Sequence, residues 1–575
     1  MRSAAKDLDG TVPAEIPATD LSVSGWQQCL PGASREAIEA ALPQYLQARR
    51  WFAGKARSIR CAQIEVAIPV PCTDCTTCLS LAGVHYLDSE PETYVLPLGV
   101  AVGERAARIL GESPHLVVAR FSSAPDRVVY DAMGDPAFCR AVLDMIASRT
   151  RMRTEVGELQ ASVTSALESA RNPAINSLEP AISNAEQSNT SVVYGDRMIL
   201  KLFRRTQEGT NPDLEIGRFL TTKRSLPQVP ALLGALEYRR GRNSEPMTLA
   251  VLQTFVAGAQ DCWGSTLDAL AQFFERRETS HRVPEAVPSG TDALLRHTDD
   301  DLPDAACEIV GPFLQAAGLL GQRTAELHVA LASDPNDAAF APEPFSPEYR
   351  RTLHQSLLDI TSRSLGSLDR QLNELPAVLR ADALTLLHRK SEVLDRFHPV
   401  LEREITAMRT RCHGDYHLGQ VLFTGKDFAI IDFEGEPLRP ISERRQKRCP
   451  LCDVAGMLRS FHYAVYSALF SQASRNGDPS RVGAEELARL ESLGRFWYVW
   501  VSVAFLRSYL TFTREAVFLP KSREELRVLL DTFLLEKAIY ELAYELSHRP
   551  TWVRIPLRGI LQLLGSDLRG EKRNL

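Results

Sequence analysis

The sequence predicts an α+β chain in two lobes, with a further small α+β subdomain towards its N-terminus, and three observations carry that prediction. Strand-forming segments and a tight turn crowd into residues 178–258. Helical periodicity fills most of the chain from residue 261 to about 564. A mixed segment of one helix and several short apolar strands runs ahead of both, from about 26 to 135.

The bulk composition fits that plan. The chain has 575 residues, 44% of them hydrophobic, enough for several buried cores. A formal net charge of −6 gives no general attraction to nucleic acid or to an anionic membrane. Eleven cysteines in so long a chain do not make a dense secreted framework, so reduced thiols in the cytoplasm are expected. The opening stretch, MRSAAKDLDGTVPAEIPATD, lacks an apolar centre and does not read as a signal peptide. The most apolar run, Phe496 to Leu506, is too short to cross a bilayer and predicts a buried helix.

Taken in order, residues 1–25 are expected to be a disordered lead. Residues 26–135 form the N-terminal subdomain, with a helix over 33–50 (Ile38, Leu42, Leu46) and then the strand-like CAQIEVAIPV. Residues 136–260 hold a linker helix, reaching to about 170, and a β-rich lobe. In that lobe SVVYG, a Gly195-Asp196 turn and RMILKLF read as a hairpin. Asn211 followed by Pro212 predicts a capped helix start. MTLAVLQTFVAG is a further strand ending at Gly258. Residues 261–575 form the helical lobe, interrupted at 411–432 by two short strands around a loop.

That loop carries the strongest chemical signal. His413-Gly414-Asp415-Tyr416-His417-Leu418-Gly419-Gln420 is followed by a strand and by Asp432-Phe433-Glu434. Phosphoryl transfer needs a carboxylate to orient and deprotonate the acceptor, and hard oxygen ligands to hold a magnesium ion against the phosphates. Asp415 suits the first task, and Gln420 with Asp432 the second. A single loop Asp is ordinarily just solvated; three oxygen donors at these spacings with a strand between them are not.

Lys201 lies among Ile199, Leu200, Leu202 and Phe203, so its ammonium needs an anionic partner. Phosphate oxygens would serve, with Glu215 on the next helix holding the lysine in place. The preceding turn, Gln187-Ser188-Asn189-Thr190-Ser191, is neither a Walker loop nor glycine-rich. The amides of Ser188, Asn189 and Thr190 are nevertheless candidates to cover phosphates, although turn chemistry alone explains such residues. Cys72-x-x-Cys75-x-x-Cys78 and Cys449-x-x-Cys452 lie far apart and are read as free thiols rather than a shared zinc site.

His413-Gly-Asp-Tyr-His-Leu-Gly-Gln-Val-Leu, Ile431 to Pro437, Arg444-Arg445 and Asp453-Val-Ala-Gly-Met-Leu-Arg459 together resemble the bacterial maltokinase family. The resemblance is to the form fused to, or encoded beside, trehalose synthase. Arg50-Trp51-Phe52-Ala53-Gly54-Lys55 resembles that family's cap, and Tyr540-Glu541-Leu542, Tyr544-Glu545-Leu546 and His548-Arg549-Pro550 also fit. The resemblance implies a two-lobed protein-kinase-like fold of the aminoglycoside phosphotransferase type with an N-terminal cap. It implies that ATP and Mg2+ are used to convert maltose to maltose 1-phosphate, feeding α-glucan (glycogen-like) synthesis from trehalose. In it Lys201 corresponds to the phosphate-binding lysine and Glu215 to its partner. Asp415 corresponds to the base, and Gln420 and Asp432 to the metal ligands. Gln253 to Gly258, including Phe255 and Val256, would be the hinge whose backbone receives adenine.

The acceptor pocket is expected among His413, Tyr416, His417, Glu434, Glu436, Arg444, Tyr540, Glu541 and Tyr544. Stacking rings and bidentate polar groups are what bind sugars, although an aromatic stripe on a helix is more often core. Two other readings stay open: a kinase for another sugar such as glucosamine, and an inactive partner module of trehalose synthase. Retention of Lys201, Asp415 and Asp432 speaks against the second.

Overall fold

The computed structural model describes residues 14–16, 33–72, 76–121, 124–170, 178–183, 188–224, 226–278, 290–437, 439–475 and 484–565. The chain divides into two compact units. The first comprises Met1–Ser225, Pro230–Ala257 and Arg439–Glu443, and the second Leu226–Val229, Gly258–Leu438 and Arg444–Leu575. Of the expected N-terminal lead, Ala14–Ile16 is a short strand parallel to Val117–Phe121. The remainder of 1–25 lies outside the described residues.

Among the described residues the first unit holds two sheets of seven strands each. In the N-terminal sheet the order is Ala14–Ile16, Val117–Phe121, Ala124–Asp131, Glu92–Val102, Thr76–Tyr86 and Ile59–Val70. Ile59–Val70 buries alternate residues (Ile64, Val66, Ile68, Val70), as the pleat requires of a strand with one face on a core. The helix Ala33–Gln47 packs Ile38, Leu42 and Leu46 into a cluster with Phe52, Tyr86 and Tyr94, so the three leucine and isoleucine positions read from the sequence are core.

The second sheet runs Arg151–Arg153, Gly157–Val163, Leu232–Arg240, Met247–Thr254, Met198–Leu202, Thr190–Tyr194 and Pro180–Ser183, antiparallel throughout. The expected hairpin is present, with Tyr194 opposite Met198 and Gly195 at φ 60, a left-handed conformation that glycine adopts without penalty. Asn211 caps the helix Pro212–Phe219 by accepting the Asp213 amide at 2.9 Å, with Pro212 in the first turn.

The link expected to be helical to residue 170 is helical over Pro136–Ala147 and again over Ser165–Ala170, but not between them. Gly157–Val163 is instead a strand beside Leu232–Arg240, burying Leu159 and Ala161. Backbone pairing to an existing strand outweighs the weak strand propensity of GELQASV.

The two sheets share one apolar core. Val66, Leu79, Leu81 and Val95 of the first belong to the same buried cluster as Leu200, Leu202, Leu249 and Leu252 of the second. Arg205–Thr206, a few residues beyond Lys201, adds a strand to the first sheet opposite Tyr94 and Thr93.

The second unit is mainly helical. The apolar run Phe496 to Leu506 lies in the helix Ala484–Phe512, buried along most of its length. It packs on Phe313–Leu331, where a Cβ on Gly321 would meet the Phe505 carbonyl at 2.2 Å, so the two backbones approach closely only because of that glycine. Among the described residues no helix is long and apolar enough to cross a membrane.

Candidate active site

In the second unit, the loop from 411 to 420 is held along one face of the helix Leu451–Arg475. Asp453, in its first turn, accepts the His413 amide at 2.7 Å and the Gly414 amide at 3.0 Å. A turn further on, Gly456 leaves room for the Tyr416 carbonyl, which a Cβ there would meet at 2.5 Å. Ser460 accepts the Leu418 amide at 3.1 Å. Positions i, i+3 and i+7 share a helix face, so one face satisfies three loop amides and admits one loop carbonyl.

His328 stands 3.0 Å from the Asp453 carboxylate through Nε2, and its Nδ1 lies 2.9 Å from the Tyr509 hydroxyl. Burial by itself would raise the Asp453 carboxyl. The His328 hydrogen bond and charge, His413 and the Gly414 amide outweigh it and hold the group below the ordinary carboxylate range.

His413 joins this loop to the next one. Its Nε2 donates to the Ile431 carbonyl at 2.9 Å, which leaves Nδ1 to accept the Asp415 amide at 3.4 Å. Its ring packs against Phe433 and Tyr416, with centroids 4.9 and 5.2 Å away. Tyr416 is buried, its hydroxyl 2.9 Å from that of Thr324. Both residues were expected to face an acceptor. In the structure each has its polar atoms hydrogen-bonded inside the unit, and they support the loop.

Asp415 therefore projects from a loop fixed on both sides. Its Oδ1 accepts from Lys537 Nζ at 3.3 Å, and its Oδ2 is 3.8 Å from His417 Nε2. Burial would raise the carboxyl. Lys537, then His417 and His413, outweigh it and hold the group below the ordinary carboxylate range. Asp415 is thus ionised at neutral pH, as a proton acceptor must be. Lys537 is held above the ordinary lysine value, because Asp415, Glu436 and Glu541 outweigh the cost of its burial. Burial lowers His417, whose Nδ1 accepts the Gly419 amide at 3.0 Å.

Gln420 and Asp432 are brought to one end of the short hairpin Val421–Phe423/Phe428–Ile430, where the Ile431 amide donates to the Gln420 carbonyl at 3.0 Å. Asp432 has φ +67, a left-handed conformation that costs a non-glycine residue roughly 1 kcal/mol or more. Such strain is retained where a side chain has to be aimed. One amide and one carboxylate fit magnesium, which takes few protein ligands and completes its shell with phosphate and water. Among the described residues no cluster of three or more His, Cys, Asp or Glu could hold a metal.

Arg444 pins the chain after Asp432, donating to the Glu434 carbonyl at 3.1 Å with the Glu434 carboxylate at 3.7 Å. Glu436 is buried and lies in the field of Lys537. The helix Arg523–His548 brings Lys537, Tyr540, Glu541 and Tyr544 to one face. Arg459 grips Glu541 through Nε and Nη2 at 2.9 and 2.7 Å. The Tyr540 ring lies 5.1 Å from Lys537 Nζ, and Tyr544 stacks on His548 with centroids 4.5 Å apart. The structure thus brings together Asp415, His417, Glu436, Glu541 and Lys537. Sequence reasoning missed Lys537, and the spacing of Lys537 and Glu541, four apart on one face, was the signal available.

In the first unit Lys201 is buried on Met198–Leu202, opposite Ser191 and Val251. Its Nζ donates to Asp213 Oδ2 at 3.2 Å, so the fully buried Asp213 is a carboxylate partner of the ammonium that the sequence reading did not name. Glu215 lies two residues on, half-buried, in the same helix. Ser188 is exposed and Asn189 half-buried. Thr190 opens the strand Thr190–Tyr194 and accepts Arg204 Nε at 2.8 Å. Gln187 lies outside the described residues. Gln253 is the last residue but one of the strand Met247–Thr254, which leads to the expected hinge, with Phe255 and Val256 half-buried beyond it. The Phe255 amide donates to the Arg197 carbonyl at 2.8 Å and is therefore already engaged.

Cys78, Cys449 and Cys452 are free, as expected, but Cys72 is disulfide-bonded, contrary to the expectation of free thiols. Cys75 lies outside the described residues.

Residues 45–135 match the family model of the maltokinase N-terminal cap domain, and residues 177–462 match that of the phosphotransferase enzyme family (APH). Among curated relatives, a glucosamine kinase of Mycolicibacterium smegmatis is 26% identical over 383 residues, covering 66% of this chain and 78% of that protein. A glucosamine kinase of Streptacidiphilus jiangxiensis is 23% identical over 396 residues, covering 67% and 73%. Among solved structures, a glucosamine kinase in complex with glucosamine, ADP and inorganic phosphate aligns with a TM-score of 0.54 at 17% identity, over 91% of this chain and 99% of that one. A second crystal form of a glucosamine kinase aligns with a TM-score of 0.54 at 18% identity, over 92% and 98%. At such identities these alignments show a shared fold. The chain has an APH kinase-like α+β fold, with residues 177–462 matching the phosphotransferase family and residues 45–135 ahead of them matching a cap domain of the maltokinase type.

Proposed function

We propose that the chain transfers the γ-phosphoryl of ATP to the anomeric hydroxyl of maltose, giving maltose 1-phosphate and ADP. The observation that carries the phosphotransfer reading is Asp415: a carboxylate kept ionised on a loop that one helix holds by Asp453, Gly456 and Ser460. Maltose as the acceptor is supported by the cap at 45–135. The face with Tyr540, Glu541 and Tyr544 supplies rings and a fixed carboxylate of the kind that bind sugars.

In this reading Asp415 orients the acceptor hydroxyl and takes its proton as the bond to phosphorus forms. Lys201, with Asp213 at its ammonium, binds phosphate oxygens, and Glu215 assists it. Ser188, Asn189 and Thr190 cover the phosphates, and the 253–256 segment receives the base. Gln420 and Asp432 would hold magnesium, which when bound neutralises charge on the transferring group. The product would supply α-glucan synthesis in the cytoplasm, in association with trehalose synthase.

A second reading, a glucosamine kinase, is favoured by the names of the curated relatives. Incubation with ATP and maltose, glucosamine or glucose in parallel, followed by phosphorus NMR of the products, separates the two. An anomeric phosphate formed from maltose is expected. Turnover of glucosamine alone overturns the acceptor assignment, and no ADP release with any sugar overturns the kinase reading.

A further inference from the structure

We propose that Lys537 is the positioning residue for the acceptor-activating carboxylate, its ammonium fixing which oxygen of Asp415 is left to take the acceptor proton. The inference rests on the phosphotransfer reading above and deepens it, adding a residue from a different helix to the machinery of the base.

Three observations support it. The first is the asymmetry of the carboxylate. Lys537 Nζ donates to Oδ1 at 3.3 Å, whereas His417 Nε2 stands 3.8 Å from Oδ2, beyond hydrogen-bond range. Oδ1 is held and Oδ2 is presented. A lone carboxylate on a loop would instead rotate about its last torsion, which is broad and nearly two-fold.

The second is how Lys537 itself is anchored. The charged groups facing it are Asp415 from the loop, Glu436 from the chain after Asp432, and Glu541 one turn on in its own helix; the Tyr540 ring lies at 5.1 Å. Those facing Asp415 are Lys537, His417 and His413. Glu541 is not free to neutralise Lys537 fully, because Arg459 donates to its Oε2 through both Nε and Nη2.

The third is closure of the framework. Arg459 lies on the same helix, Leu451–Arg475, that holds the loop through Asp453, Gly456 and Ser460. That helix fixes the backbone on either side of Asp415, and the Arg459–Glu541 clamp ties it to the helix Arg523–His548, which fixes the side chain through Lys537. A pair of this kind on an open surface would contribute little. Here both side chains are at most one-quarter exposed, 25% for Lys537 and 20% for Asp415, and one of them is the base.

The test uses the full chain with ATP, magnesium and the sugar it turns over. Lys537→Met is expected to lower kcat about 100-fold, the lower range of what a positioned base contributes. The KM for sugar and the dissociation constant for ATP should stay within about threefold, since those are not the functions assigned to Lys537. Lys537→Arg is expected to restore at least about tenfold of the loss, because it returns a cationic donor. The acidic limb of kcat against pH should move upward in Lys537→Met, since burial then acts on Asp415 with less opposition.

If Lys537→Met does not fold, Lys537→Gln, which keeps the length and a donor but not the charge, is read by the same criteria. A kcat within about threefold of wild type and an unmoved acidic limb overturn the proposal. A change confined to the sugar KM overturns it too, because it makes Lys537 a sugar ligand. Failure of the phosphotransfer reading looks different: Asp415→Asn would retain turnover. Loss of turnover in Asp415→Asn with none in Lys537→Met removes this inference alone.

Discussion

Asp453→Asn tests the loop scaffold directly. The wild-type carboxylate accepts two backbone amides, from His413 at 2.7 Å and Gly414 at 3.0 Å, and it faces His328 at 3.0 Å. Asparagine has one acceptor oxygen and an amide that cannot accept. One loop N–H is therefore left facing a donor, and the other keeps only a neutral hydrogen bond. Hydrogen bonds to a charged partner contribute roughly 1.5–3 kcal/mol and neutral ones about 1 kcal/mol, so the local cost is roughly 2–4 kcal/mol. Hydrogen exchange of a peptide spanning 411–416 should then be about 30- to 1000-fold faster, at about 1.4 kcal/mol per decade. Turnover should fall with it, because Asp415 is the next residue after Gly414.

The pH dependence has a definite sign. The Asp453 carboxyl is held below its ordinary value in the folded chain, so its stabilisation is complete above the unfolded-state pKa of about 3.9. It disappears as pH falls through the lower folded-state value. The difference between wild type and Asp453→Asn should be constant from about pH 5 upward and close only in stronger acid. Unchanged exchange at 411–416, or an equal increase throughout the second unit, would refute the scaffold argument.

Other substitutions probe the remaining parts. Gly456→Ala puts a Cβ 2.5 Å from the Tyr416 carbonyl, so the loop must shift; kcat should fall at least about tenfold with ATP binding retained, measured by steady-state kinetics and calorimetry. Asp213→Asn removes the carboxylate 3.2 Å from the buried Lys201 ammonium; the KM for ATP should rise and chemical denaturation should show a loss of roughly 1–3 kcal/mol. Asp415→Ala should abolish turnover and leave nucleotide binding mostly intact, whereas Asp432→Ala should also lose the magnesium-dependent part of nucleotide affinity, a contrast that equilibrium binding with and without magnesium measures.

Legibility from sequence followed the range of the interactions. The hairpin at 190–202 and the Asn211-Pro212 helix start are set by neighbouring residues, and the structure has both. Asp213 and Glu215 both fall in the first turn of one helix, and spacing alone does not show that Asp213 meets Lys201; docking of that helix on the sheet brings the Asp213 carboxylate to 3.2 Å from the ammonium. The spacing of Lys537 and Glu541 puts both on one helix face, but the meeting of Lys537 with Asp415, 122 residues away, is set by packing and not by spacing. Adjacency of His413 and Tyr416 to Asp415 in sequence does not reveal which way a ring turns, and both are buried. Gly157–Val163 was misread because its strand character comes from Leu232–Arg240 beside it.

The interior shared by the two N-terminal sheets limits how this protein can be taken apart. Two domain families meet along the chain, yet Leu79 and Leu81 on one side and Leu200 and Leu249 on the other occupy a common interior, and Arg205–Thr206 is stitched into the neighbouring sheet. A truncated chain that begins after the cap would be left with a bare oily flank and a severed edge, a recipe for insolubility. The cap is thus no detachable cassette, and its contribution to turnover has to be dissected by point substitution rather than by deletion.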